Sequence, residues 1–189
     1  NFAGGAKSAE CILVLSEGDS AKAGIISGLT SADHDTIGVY ALKGKILNVC
    51  DQPHRKIAAN DEIADIVNIL GLKYGTTYND TNITTLRYGK VLFITDQDLD
   101  GSHIKGLGVN LFYSEWPSLT SIPGFIGYMN TPILSARKGA HERLFYNQGE
   151  YNDWCSSTNS NSTESNVSSA FTTPKGWTIK YYKGLGTTT

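Results

Sequence analysis

Three short apolar runs lie in the first half of the chain, with longer segments of helical periodicity between them. The runs, at residues 11–15, 37–42 and 91–95, are rich in β-branched and aromatic residues and predict buried β-strands. The clearest intervening helix follows Asn60, a residue type that favours helix N-caps, and one face of it carries Ile63, Ile66, Val67 and Leu70. This alternation of strands and helices predicts an α/β fold with a parallel sheet.

Two more helices are predicted beside these strands. The first follows residue 20 and ends at Gly28, since glycine is common just after a helix. The second begins at Ser102 and ends before Pro117, and its apolar side carries Ile104, Leu107, Leu111, Phe112 and Trp116. These apolar positions are expected to form the core.

The pattern changes in the last third of the chain. Residues 125–146 predict extended segments with a turn near Gly139, and a short helix and a final strand follow at 150–154 and 177–182. Residues 156–173 are rich in Ser, Asn and Thr, a composition that predicts a disordered insertion. We therefore predict a core domain at residues 1–124 and a small C-terminal α+β extension at 125–189.

The third strand delivers three carboxylates at alternate positions, Asp96, Asp98 and Asp100, followed by Gly101. In α/β proteins the carboxyl ends of the strands carry the functional sites. Carboxylates this close repel one another unless a cation joins them, and a set of hard oxygen ligands favours Mg²⁺ over zinc. The pattern therefore predicts a metal site, with magnesium as the metal.

Two other interpretations use the same aspartates. An EF-hand loop needs a glutamate at its twelfth position, but counting from Asp96 that position is Leu107, and a strand rather than a helix precedes the loop. A phosphatase of the haloacid-dehalogenase type would use Asp96 as a nucleophile, but that family usually has Thr or Val where Asp100 stands. A calcium-binding module and a small-molecule phosphatase remain as competing hypotheses.

A second acidic loop follows the first strand, where residues 17–21 are Glu-Gly-Asp-Ser-Ala. Gly18 permits a tight turn, and either Asp19 or Ser20 can cap the next helix. Because parallel strands end at the same edge of a sheet, Glu17 is expected to be a fourth carboxylate beside the aspartates.

These residues resemble a known family. Residues 17–21, 96–104 and 182–187 resemble the three signatures of the TOPRIM domain of type IIA DNA topoisomerases, and residues 42–49 add a fourth. The Asp-Gln-Asp and Lys-Gly-Leu-Gly-Thr sequences are nearer to eukaryotic topoisomerase II than to bacterial gyrase. The resemblance implies a Rossmann-like parallel sheet flanked by helices, with a small C-terminal α+β extension.

The resemblance also implies an activity and a set of metal ligands. The family cleaves and religates double-stranded DNA by transesterification, driven by ATP, so that a second duplex can pass. Catalysis and metal binding are then expected at Glu17, Asp96 and Asp98, with Asp100 as a further member of the metal site. The expected metal is Mg²⁺, for which Mn²⁺ or Ca²⁺ can substitute in binding.

DNA contacts and the rest of the parent enzyme follow from the same resemblance. Lys45 and Asn48 are expected to contact DNA near the break, while Lys183 serves either DNA or the fold. The nucleophilic tyrosine, the ATPase domain and bound ATP are expected outside this chain, in a homodimeric nuclear enzyme. Two departures from the family stand out: Lys43 replaces its usual arginine, and the insertion after Cys155 is longer than usual.

Composition adjusts this hypothesis only slightly. The formal net charge of −2 opposes nucleic-acid binding, but bound divalent cations would reverse the local field at the acidic cluster. The three cysteines are odd in number and lack metal-type spacing, which indicates a reducing compartment. No apolar stretch approaches a membrane span, and the chain begins without methionine and ends inside a motif, which predicts a piece of a larger protein.

Overall fold

The computed structural model describes residues 1–159 and 173–182 and divides the chain into two compact units, Asn1–Met129 and Asn130–Thr189. The first unit has four strands: β1 (Ile12–Glu17), β2 (Ile37–Leu42), β3 (Lys90–Ile94) and β4 (Ile126–Met129). Its α-helices are α1 (Gly18–Gly28), α2 (Asp33–Thr36), α3 (His54–Ala58), α4 (Asp61–Leu70), α5 (Leu99–Glu115) and α6 (Pro117–Thr120). Short 3₁₀ turns lie at Ser8–Glu10 and Ile83–Thr85.

The four strands form one parallel sheet in the order β2-β1-β3-β4. The three strands predicted from the apolar runs are present, so the predicted α/β class with a parallel sheet is confirmed. The fourth strand, β4, pairs with β3 from Val91↔Ile126 onward. The first unit therefore runs to Met129, whereas the sequence placed the boundary at residue 124.

Helices pack their apolar faces on this sheet. Asn60 caps α4 by accepting a hydrogen bond from the Ile63 N–H at 3.0 Å, and Gly71 ends the helix with a φ of +75°. The core of the unit includes Leu13, Leu15 and Phe93 from the strands and a set of helical residues: Ile63, Ile66, Leu70, Ile104, Leu111, Phe112 and Trp116. The apolar positions predicted for α4 and α5 are thus core residues, except that Val67 is only partly buried.

Helix α5 begins earlier than predicted. It starts at Leu99 with Asp98 as its N-cap, rather than at Ser102. The Asp98 side chain accepts a hydrogen bond from the Gly101 N–H at 2.7 Å, which satisfies one of the free donors in the first turn. The sequence pattern missed this start because the first turn, residues 99–103, contains no buried apolar residue.

The second unit is built on an antiparallel sheet. Its elements are β5 (Leu134–Lys138), β6 (His141–Phe145), α7 (Gln148–Asn159) and β7 (Thr178–Tyr181), and the strand order is β6-β5-β7. The predicted turn at Gly139 joins β5 to β6, where Gly139 has a φ of +60°. One face of the sheet packs into a small core of Leu134, Ala136, Phe145, Tyr151, Trp154 and Cys155.

The predicted disordered insertion began too early. Helix α7 continues through Asn159, since Trp154 and Cys155 are buried and the Ser156 hydroxyl donates to the Asn152 carbonyl at 2.9 Å. The rest of that prediction, at residues 160–172, lies outside the described residues. Within the described ranges, every helix is too short or too polar to cross a membrane.

Candidate metal centre at the strand ends

The two acidic loops leave the same edge of the first sheet. Strands β1 and β3 are neighbours and run parallel, with Ser16 opposite Ile94. Glu17 ends β1, and Asp96 follows β3 by two residues. The Asp96 N–H donates a hydrogen bond to Glu17 Oε2 at 3.2 Å, so the structure joins two of the predicted site residues.

A tight turn carries the aspartates from β3 into α5. The buried Thr95 hydroxyl donates to the Gly101 carbonyl at 3.0 Å, which closes the turn from beneath. A Cβ at position 101 would overlap the backbone carbonyl of Asp96. Glycine is therefore required at 101 for close approach of two backbone segments, and its role goes beyond helix initiation.

The carboxylates of this edge act on one another electrostatically. Burial raises the pKa of Glu17, and the negative charges of Asp96, Asp98 and Asp100 raise it further, while the hydrogen bond from the Asp96 N–H opposes them. The raised pKa means that burial and the repulsion by the neighbouring carboxylates disfavour the ionised form of Glu17. A bound cation would relieve that repulsion.

The side chains of Asp98 and Asp100 have other partners. Asp98 caps α5, while Asp100 Oδ1 lies 2.9 Å from Lys45 Nζ in an exposed ion pair. The hydrogen bond and positive charge of Lys45 lower the pKa of Asp100. Among the described residues, no group of three or more His, Cys, Asp or Glu side chains is arranged to hold a metal ion.

The donor chemistry of the edge nevertheless suits a hard cation. Glu17, Asp96 and Asp98 offer carboxylate oxygens from two adjacent loops, and this ligand type is the one that Mg²⁺ prefers. The expected convergence of all three within a few ångströms stays a prediction, which the hydrogen bond from the Asp96 N–H to Glu17 supports for two of them.

The loop after β2 brings Lys45 to the acidic edge. Ile46 and Val49 are buried and anchor the loop, and the Lys43 N–H donates to Glu62 Oε1 at 2.6 Å. Asn48 lies in the same loop and is exposed, with its Oδ1 accepting from the Cys50 N–H at 3.1 Å. Lys183, the third predicted DNA contact, lies outside the described residues.

The sequence did not predict Lys105, a cation near the site. Lys105 is partly buried on α5 and donates to Gln97 Oε1 at 3.3 Å. Burial lowers its pKa, and the negative charge of Glu17 opposes that shift. The available signal was its helical spacing, because Lys105 lies one turn after Gly101 and so faces the aspartate turn.

A cavity of about 490 Å³ opens beside Glu17. It is lined by residues that follow β1 and by the end of β2 with its loop: Gly18, Asp19, Lys22, Tyr40, Ala41, Leu42, Lys43 and Gly44. The Tyr40 hydroxyl donates to Asp65 Oδ2 at 2.9 Å, which fixes the tyrosine at the cavity wall. Open space thus lies next to the Glu17 carboxylate.

Comparison with known proteins places this arrangement in a family. The family model described as the C-terminal associated domain of TOPRIM matches residues 129–189. Two human proteins, DNA topoisomerase 2-beta and DNA topoisomerase 2-alpha, are each 46% identical over 190 residues. Each alignment covers 100% of this chain, which spans only 11% of the beta and 12% of the alpha protein.

A solved structure is also similar. The DNA-binding, cleavage and re-ligation domain of Plasmodium falciparum topoisomerase II superposes with a TM-score of 0.81 at 43% identity. That match covers 100% of this chain and 24% of the other. By sequence and by structure, over the part that it covers, the chain belongs to the TOPRIM region of the eukaryotic-type DNA topoisomerase II family.

Proposed function

We propose that this chain is the metal-binding part of an ATP-dependent type II DNA topoisomerase, which cleaves and religates double-stranded DNA to pass a second duplex. The observation that carries the proposal is the junction of Glu17 and Asp96 at adjacent strand ends, with Asp98 and Asp100 on the same turn. The similarity to topoisomerase 2 proteins over the whole chain supports it independently.

The acidic residues would act by holding divalent cations against DNA. Glu17, Asp96 and Asp98 would ligate Mg²⁺, and Asp100 would contribute from the edge of the site. When bound, the metal supplies positive charge that stabilises the phosphoryl oxygens and the leaving 3′ oxygen during strand cleavage. The Gly101 turn keeps Asp96 and Asp98 in place, and this rigidity suits a metal site.

Basic and amide side chains would position the DNA backbone. Lys45 suits a phosphate because an ammonium acts as a point charge, and Asn48 offers amide donors to backbone oxygens. The Lys45–Asp100 pair is exposed, with half of the lysine side chain and two-thirds of the aspartate side chain accessible. Exposed pairs are weak, so a DNA phosphate can replace Asp100 as the partner of Lys45.

The remaining parts of the activity would lie elsewhere in the parent protein. We propose that the nucleophilic tyrosine, the ATPase domain and bound ATP lie outside residues 1–189, and that the parent acts as a nuclear homodimer. Lys183 is retained as a further proposed DNA contact. The chain alone would then bind metal and DNA without relaxing supercoils.

The test is trapping of the covalent intermediate in the full-length parent with duplex DNA and Mg²⁺. Mass spectrometry should find a DNA adduct on a tyrosine outside residues 1–189, and Asp96→Ala should abolish its formation. An adduct on any residue of this chain would overturn the assignment. So would an aspartyl-phosphate at Asp96 together with hydrolysis of aryl phosphates, which is the outcome expected of the phosphatase.

A further inference from the structure

The outer face of the second unit's sheet carries a polar cavity. Strand alternation places Ser135 and Arg137 of β5 on the face opposite Leu134 and Ala136, which belong to the core. On β7, Lys180 lies opposite Ser135, and Thr178 lies opposite Arg137. A cavity of about 470 Å³ is lined by these four residues together with Gly139, Glu142 and Tyr182.

The cavity contains two cations that lack carboxylate partners within the described residues. Neither Arg137 nor Lys180 lies within ion-pair distance of a carboxylate of the described residues. Glu142 faces Arg137 across β5 and β6 but does not approach it closely enough to pair. The lining therefore has two positive charges and one negative charge.

Three hydroxyl groups line the same cavity as the two cations. Ser135 and Tyr182 share a hydrogen bond of 3.2 Å between their hydroxyl oxygens, and Thr178 adds a third hydroxyl. The Lys180 ammonium lies 5.4 Å from the centre of the Tyr182 ring, within the range of a cation–π contact. These contacts help to position the Tyr182 and Lys180 side chains at the cavity.

Such a lining is complementary to a phosphate group. Arginine offers a planar fork of donors, lysine a point charge, and hydroxyls complete the hydrogen bonds to phosphate oxygens. Glu142 counts against a small, highly charged ligand that must enter the cavity completely. A phosphate diester carries a single charge and can contact Arg137 and Lys180 from the open side.

We propose that this cavity, centred on Arg137 and Lys180, binds a backbone phosphate of duplex DNA outside the metal centre. The proposal rests on the proposed function, which supplies DNA as the partner, and extends it to a contact that needs no metal. The cavity acts as a backbone anchor and carries no sequence information, since phosphate contacts position DNA without discriminating among bases.

Binding of a fluorescent duplex to the 189-residue chain, measured by anisotropy in EDTA across a salt series, tests this anchor. Arg137→Gln and Lys180→Gln should each weaken binding on the order of tenfold at 50 mM salt and lower the salt slope by about 0.9. Glu142→Gln should tighten binding about twofold, because it removes a repulsive charge. Lys175→Gln, an exposed lysine of the same unit outside the cavity, is the matched control and should leave the slope unchanged.

Three results would overturn the anchor. In the first, both Arg137→Gln and Lys180→Gln bind DNA as tightly as the parent. In the second, Lys175→Gln weakens DNA binding as much as they do. In the third, the parent does not bind DNA at low salt. Inorganic phosphate supplies a second arm: saturation of the cavity by phosphate at micromolar concentration, followed by NMR, would assign it to a small phosphate compound instead of DNA. Because EDTA removes the metal, failure here is distinguishable from failure of the Mg²⁺-dependent cleavage test.

Discussion

The two units place charged residues on their β-sheets in different ways. In the first unit, Glu17, Asp96, Asp98 and Asp100 form an acidic edge at the strand ends. In the second unit, Arg137 and Lys180 form a basic face on the sheet. At the acidic edge, parallel strands β1 and β3 end side by side, and the loops that follow them carry acidic residues at alternate positions. On the basic face, antiparallel strands carry single charged residues at alternate positions, and Arg137 and Lys180 meet only through strand pairing. Parallel strands thus bring whole loops together at one edge, as with Glu17 and Asp96, whereas antiparallel strands bring single side chains together on one face.

The largest effect is expected from crowding the acidic edge. Gly101→Ala should lower the free energy of unfolding by roughly 1–3 kcal/mol, because its Cβ would overlap the Asp96 carbonyl and force the turn to shift. Gly106→Ala is the matched control on the same helix, where an added Cβ meets nothing within 4 Å. It should be neutral or raise stability by up to about 1 kcal/mol, since alanine favours helix.

Urea unfolding of both variants gives the comparison directly. Equal stability of the two variants would mean that the turn yields without cost. The rigid geometry proposed for the acidic edge would then be wrong.

A smaller effect is expected where the acidic edge meets DNA. In the full-length parent, Lys45→Ala should weaken formation of the cleavage complex and reduce the salt slope of DNA binding by about one. Lys73→Ala, an exposed lysine outside the metal centre, is the control and should change neither quantity. If Lys45→Ala keeps the cleavage and the salt slope of the parent, Lys45 does not contact DNA and is only a solvated partner of Asp100.

The smallest effect concerns protonation of Glu17. Its folded-state pKa is raised by burial and by the neighbouring carboxylates, so the ionised form opposes folding at neutral pH and this penalty disappears as pH falls through that pKa. Glu17→Gln keeps an oxygen acceptor for the Asp96 N–H and removes the charge. Without metal, the variant should therefore be more stable than the parent at neutral pH, and the difference should shrink on acidification.

Unfolding free energies of the parent and Glu17→Gln across pH 4 to 8 in EDTA provide the measurement. Saturating Mg²⁺ should reverse the order, because only the parent keeps the carboxylate that the cation would bind. A variant less stable than the parent at pH 7 without metal would contradict the repulsion at this edge.

The contrast between the two regions also explains how much the sequence could predict. The strands that hold the acidic edge followed from apolar runs, and Glu17 and Asp96 followed from residues adjacent to those runs. The early start of α5 could not be predicted from an apolar pattern, because it depends on the hydrogen bond that the Gly101 N–H donates to the Asp98 side chain. The position of β4 was also missed, since a short extended segment does not indicate which sheet it joins.

The proximity of the charged residues on the basic face could not be predicted from the sequence, for a physical reason. Arg137 and Lys180 are 43 positions apart in the chain, and their proximity depends on the register between β5 and β7. A shift of one residue in that register would place the pairing residues on opposite faces. Lys105 was missed similarly, since its approach to Gln97 requires the true start of α5.

The central claim is that Glu17, Asp96 and Asp98 bind one divalent-cation centre, and thermal unfolding of the 189-residue chain with and without Mg²⁺ tests it most directly. Mg²⁺ should raise the Tm of the parent, since a ligand that binds only the folded state stabilises it. Asp96→Ala should abolish this rise, whereas Asp80→Ala, an exposed loop acid outside the edge, should retain it. An equal rise in the parent and in Asp96→Ala would contradict the claim and remove Asp96 from the metal centre.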